Sequence, residues 1–191
     1  MDKAIEQLLK IFNHLAREIQ VYVLSGFLIA VNILIIDYFY YNLSLWNIIK
    51  TNSLEIPAIF ILYILGQLSM ALYYTIIELP SIDEKIKSIL KLDYIIDSTA
   101  LPSIYKKDPE IYMHFVERYV ILTMMRWTLS AACFINFITD IIFLLKKDYH
   151  WQILLITLIS FVGSIILLLL TTRTEKDYSD RIDSLKDKPV T

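Results

Sequence analysis

The stretch QILLITLISFVGSIILLLLTT, residues 152–172, decides the fold class. Its 21 residues carry no charge, and a helix of about 20 residues is what a hydrocarbon core of about 30 Å requires at 1.5 Å rise per residue. Outward from it the same pattern recurs at about 21–41, 56–79 and 119–145. Four such runs predict an all-α polytopic membrane protein with four transmembrane helices, spans at about 21–41, 56–79, 119–145 and 152–172.

Composition agrees. Of 191 residues, 57% are apolar and 20% charged, the formal net charge is −2, and the mean hydropathy is +0.55. These values exclude a soluble enzyme, a secreted disulfide scaffold and a nucleic-acid binder that relies on a broad basic surface. The single Cys133 lies in an apolar stretch and reads as a small packing residue. His14, His114 and His150 fall in three separate regions without metal-ligand spacing, so neither a metal nor a cofactor is expected. Mixed charges precede the first run and no small-residue cleavage signature follows it, so that span is expected to persist in the mature protein.

Between the spans the chain has structure of its own. Ile5, Leu8, Leu9, Phe12, Leu15 and Ile19 recur at helical spacing and predict an amphipathic helix running into span one. That span ends in Tyr38, Phe39, Tyr40 and Tyr41, aromatic residues of the kind that sit at headgroups. The polar connection 80–118 opens with Ser81 and Glu84 at capping-box spacing, which predicts a short amphipathic helix. Asp108 and Pro109 start another helix, expected to run to about 145 and to project beyond the bilayer. The turn before Trp151 is short enough to make spans three and four an antiparallel hairpin. Residues 173–191 form a charged tail, flexible at its tip.

With four spans, both termini share one side with the 80–118 connection. That side carries 14 Lys and Arg, against 3 (Lys50, Lys146, Lys147) on the other. The positive-inside rule then puts both termini and the connection in the cytoplasm.

Arg126 is costly inside a span unless it reaches the headgroups or a partner. It either snorkels or pairs with Glu78, or it lines a polar cavity or subunit interface. Asn136 and Asp140 lie about 80° and 40° from it around the helix, which makes Arg126, Asn136 and Asp140 a candidate intramembrane stripe. Asp37 and Asp140, near helix ends, also read as ordinary interfacial residues. Gln67, Asn32 and Asn136 are candidate interhelical hydrogen-bond formers, and Ser160, Gly163 and Ser164 a helix-packing face. The cytoplasmic surface offers Glu84, Lys85, Lys87, Lys91, Lys106, Lys107, His114, Glu117 and Arg118 as candidate partner contacts. His114 and Glu117 alone do not make an acid–base site, because no nucleophile, metal set or paired carboxylates accompany them.

The Pro80–Glu84 helix start, the Asp108–Pro109 start of a long third helix, Glu117 and Arg118 entering the membrane and Arg126 within it form an architecture. It resembles the small four-span membrane subunits of bacterial anti-phage systems, nearest the KwaA subunits of the Kiwa system and next the four-span accessory proteins of CRISPR loci. The resemblance implies a homo-oligomeric membrane sensor that docks a soluble cytoplasmic effector. The expected partners are therefore membrane lipid, further copies of the chain and a soluble cytoplasmic protein, with no direct contact to nucleic acid. An ion-conducting pore or small transporter subunit, with its path along helix three, is the alternative, and an enzyme using His114 and Glu117 ranks last.

Overall fold

The computed structural model describes residues 2–51, 55–77, 80–91, 101–107, 109, 112, 117–147 and 149–186. Among them there are helices and no strands: α1 (Asp2–Tyr41), α2 (Ser44–Thr51), α3 (Glu55–Ile77), α4 (Pro80–Leu90), α5 (Leu101–Lys107), α6 (Glu117–Lys146) and α7 (Trp151–Lys186). Three are long and apolar enough to cross a membrane: Val21–Tyr41 of α1, Arg118–Lys146 of α6, and α7 from Trp151 onward. In α3 the qualifying apolar segment is shorter, Pro57–Leu72. The expected start of the third helix at Asp108 and the amphipathic face of residues 2–18 lie outside the described residues.

The packing is inverted relative to a water-soluble bundle. Ser25, Asn32, Ser69, Thr128, Ser130, Asn136, Asp140, Thr157 and Ser164 are buried, while Phe27, Phe60, Ile64, Leu72, Ile142, Leu158, Ile159 and Ile166 face outward. Water rewards the opposite arrangement. Hydrocarbon is indifferent to large apolar side chains on the outside, and helices associate in it through small residues and interhelical hydrogen bonds. This distribution marks a membrane bundle independently of hydropathy.

α1 packs on α3 and α6, α3 on α6, and α6 most extensively on α7. Two glycines set the α1–α3 distance. A Cβ on Gly26 would stand 1.8 Å from the Leu62 carbonyl oxygen, and one on Gly66 would stand 2.0 Å from that of Tyr22. The backbones are therefore nearly in contact, with Ser25 and Ser69 buried beside them.

At one end of the bundle, the turn end, α1 stops because Asn42 and Leu43 take left-handed φ of 52° and 61°. The Leu43 amide closes back onto the Asp37 carbonyl at 3.2 Å, a Schellman-type bond that asparagine at the left-handed position tolerates. α6 ends at Lys146 and α7 begins at Trp151. Ser130 donates to the Ser164 carbonyl at 2.9 Å and Phe137 stacks on Phe161 at 4.9 Å, which fixes the antiparallel register of that hairpin.

At the opposite, tail end, α7 does not stop where its apolar run stops. It continues unbroken from Arg173 to Lys186, 14 residues or about 21 Å at 1.5 Å each. Tyr178, Ile182 and Leu185 repeat at helical spacing there and bury themselves with Ile104 of α5, flanked by Leu101, Tyr112 and Tyr119. The charged stretch 173–186 is thus a helix with a small core of its own.

Candidate functional site

The most unusual group in the bundle is Asp140, which is 0% exposed. It sits about 9 Å along α6 from Lys146, inside the apolar part of the helix. Two rungs join α6 to α1 at this level. Asn32 donates its side-chain amide to Asp140 Oδ1 at 2.8 Å. One turn away, Asn136 donates to the Leu28 carbonyl at 3.2 Å. Residues 28 and 32 and residues 136 and 140 are each four apart, so the rungs lie one above the other on facing helix surfaces. Thr157 of α7 is beside Asp140, but its hydroxyl donates along its own helix to Ile153 O at 2.7 Å. Asp140 Oδ2 and Asn32 Oδ1 are buried without a hydrogen-bond partner, which a native interior rarely leaves uncompensated.

Arg126 belongs to a different place. It donates to Thr174 Oγ1 and to the Leu170 carbonyl, the latter at 3.3 Å, while its neighbour Trp127 donates to Glu175 Oε1 at 2.9 Å. All three partners are on α7 at or after the last leucine of its apolar run. Arg126 is therefore level with the polar tail end rather than in the middle of the hydrocarbon. The three residues of the expected stripe divide accordingly: Arg126 turns to α7, whereas Asn136 and Asp140 turn to α1.

Asp37, by contrast, is fully explained by capping. Its carboxylate accepts from Ser44 Oγ at 3.0 Å and from the backbone amides of Leu45 and Trp46 at 3.0 and 3.2 Å, the exposed N–H groups of the first turn of α2. Around it, Phe39 and Tyr40 pack on His150 at 5.2 and 5.1 Å, and Tyr40 stacks on Phe143 at 5.6 Å. Lys147 lies 5.4 Å over the Tyr41 ring. This aromatic layer has the composition of a headgroup belt.

Ser160 and Ser164 are buried and Gly163 lies 3.5 Å, from an added Cβ, against Cys133 Sγ, so this face is the α6–α7 seam. Gln67 does not join the interior hydrogen bonds; it donates to Tyr63 OH at 2.8 Å on an exposed surface. Glu84, Lys85, Lys91, Lys106 and Arg118 are exposed and Lys87 is half-buried. His114 and the side chains of Lys107 and Glu117 lie outside the described residues. No cluster of three or more potential metal ligands occurs among the described residues. The arrangement can hold or exchange a proton at Asp140 and can fasten helices together; among the described residues it shows no nucleophile with a base. Thr157 was not singled out by sequence reasoning, although a lone threonine in the run ILLITLIS is the available signal. No protein-family profile, curated protein or solved structure matches this chain.

Proposed function

We propose that the chain is a non-enzymatic scaffold or sensor of a bacterial inner membrane, crossing it four times with both termini in the cytoplasm. In this reading it assembles with copies of itself and presents α5 and the end of α7 to a soluble cytoplasmic protein, as the likeness to anti-phage membrane subunits implies. The observation that carries the reading is the unbroken α7. One rigid helix runs from the turn end of the bundle into a packed module that extends to about 21 Å past the apolar run, so a displacement in the membrane is transmitted to that module. The excess of Lys and Arg on the same side supports a cytoplasmic module. In α3, 23 residues from Glu55 to Ile77 amount to about 35 Å of helix, long enough to cross alongside the other three.

The test is purification of the tagged chain in mild detergent from its host, reading complex mass and co-purifying proteins. A stoichiometric soluble partner on an oligomeric core, lost when Tyr178 and Ile182 are changed to Ala, supports the scaffold. A partner-free monomer overturns it. A second reading, an ion-conducting or transporter subunit, is favoured by the buried carboxyl at Asp140. It predicts flux in reconstituted vesicles that Asp140→Leu removes.

A further inference from the structure

Asp140 Oδ2 and Asn32 Oδ1 are two buried oxygens with no donor. The nearest donors are directed elsewhere: Asn32 gives an amide hydrogen to Asp140 Oδ1, the single hydroxyl hydrogen of Thr157 goes to Ile153 O, and Asn136 reaches Leu28 O. The two orphaned oxygens therefore belong to the two side chains that the Asn32–Asp140 bond already joins.

Among the described residues, no cation faces the carboxyl from any packed element. α1 has no ionisable side chain from Val21 to Ile36 other than the Tyr22 phenol, and α7 has none from Gln152 to Thr172. Of α3, residues 57–77 carry only tyrosine phenols, and α6 has no Lys, Arg or His between Arg126 and Lys146. Among the nearest groups at the turn end, Asp37 caps α2 and His150 sits among Phe39 and Tyr40. An ionised carboxylate here would be desolvated and without a cation, held by the Asn32 amide at one oxygen only, a state a membrane interior does not tolerate without compensation.

We infer that Asp140 carries a proton on Oδ2 and donates it to Asn32 Oδ1, making the Asn32–Asp140 pair a closed acid–amide ring and a proton-binding site within the bundle. One hydrogen satisfies both orphaned oxygens, and the existing 2.8 Å bond forms the other half of the ring. The ligand is a proton taken from water: the carboxylate gains H⁺, loses its charge and becomes a donor. A metal cation fits less well, because hard cations take about six or more oxygens. The junction offers Asp140 Oδ2, Asn32 Oδ1 and Thr157 Oγ1, with Ile29, Ile36 and Ile153 buried around them. Loss of the proton would place a charge against the Asn32 oxygen at the α1–α6 contact, so occupancy of the site and closure of that contact are linked. The site stands whether the chain scaffolds a partner or conducts an ion.

The test is infrared difference spectroscopy on the full chain in lipid bilayers at neutral pH. The expected result is a carbonyl stretch of a protonated carboxyl that shifts in D₂O and is lost in Asp140→Asn. That variant is expected to keep the fold, since its amide places an N–H where the acid carries O–H. In Asn32→Leu the band is expected to persist and move to higher frequency as its hydrogen bond is lost, a readout that does not depend on Asp140→Asn folding. Absence of a protonated-carboxyl band in the wild type overturns the proposal. So does a band that vanishes on adding sodium, which would make the site one for a metal cation, and so does an Asn32→Leu band at unchanged frequency.

Discussion

Giving Gly26 or Gly66 a methyl group should pry α1 and α3 apart. Against an ordinary carbon contact of at least 3.4 Å, the approaches of 1.8 Å at Gly26 and 2.0 Å at Gly66 leave shortfalls of about 1.6 and 1.4 Å, and in both cases the obstacle is a backbone carbonyl that no rotamer change can move. The two helices must separate, which weakens every contact along their crossing, including those of Ser25 and Ser69. Overpacking typically costs about 1–3 kcal/mol, and a backbone obstacle places Gly26→Ala and Gly66→Ala near about 3 kcal/mol. Against this stands the gain of up to about 1 kcal/mol from replacing glycine within a helix, leaving about 2 kcal/mol of destabilisation. One separation relieves both clashes, so the double variant is expected to cost little more than either single one, a clear failure of additivity. Gly163→Ala is the control: its added carbon would meet only Cys133 Sγ at an ordinary 3.5 Å, so stability should be unchanged or slightly raised. The assay is reversible unfolding in mixed micelles, with fluorescence transfer between labels on α1 and α3 reporting their distance. Single variants as stable as the wild type, or a double variant that loses the sum, would refute the close-crossing argument.

Arg126→Leu removes the bonds to Thr174 and the Leu170 carbonyl and is expected to cost about 1–3 kcal/mol while leaving any vesicle flux intact; abolished flux in a folded variant would put Arg126 on a path instead. Asp37→Ala uncaps α2 at about 1 kcal/mol, and hydrogen exchange should speed at the Leu45 and Trp46 amides; unchanged protection there would mean the cap is not what holds α2. Ile182→Ala takes a 1%-exposed side chain from the small tail-end core and is expected to cost about 2–5 kcal/mol locally. Limited proteolysis should then cut between residues 173 and 186 while the membrane bundle stays whole, and equal resistance to the wild type would count against a packed module.

The membrane class was legible because unbroken apolar runs have few alternative explanations, and three of the four expected spans are helices both long and apolar enough to cross. The tail was less so: Tyr178, Ile182 and Leu185 lie among Lys176, Asp177, Asp180, Arg181 and Asp183, so average polarity masks a stripe that helical spacing alone would reveal. Arg126 illustrates a different limit. Its depth depends on the α6–α7 register, which the sequence of α6 does not contain; only the pairing with Leu170 and Thr174 places it at the polar edge. Asp140 looked interfacial by its distance from Lys146, yet it is sealed by α1, because which neighbour covers a helix face is a tertiary fact. Asn32 and Asn136 were identifiable as interhelical bond formers, since amides in hydrocarbon must find partners.

In the proposed topology α7 crosses the bilayer and continues as a rod on the same side as the N-terminus and the 80–118 connection. Single cysteines at Lys91, Lys147 and Lys186, in a Cys133→Ser background, probed with a membrane-impermeant thiol reagent in right-side-out and inverted vesicles, test it most directly. Positions 91 and 186 should label only in inverted vesicles and position 147 only in right-side-out ones. Labelling of 147 and 186 from the same side would contradict it.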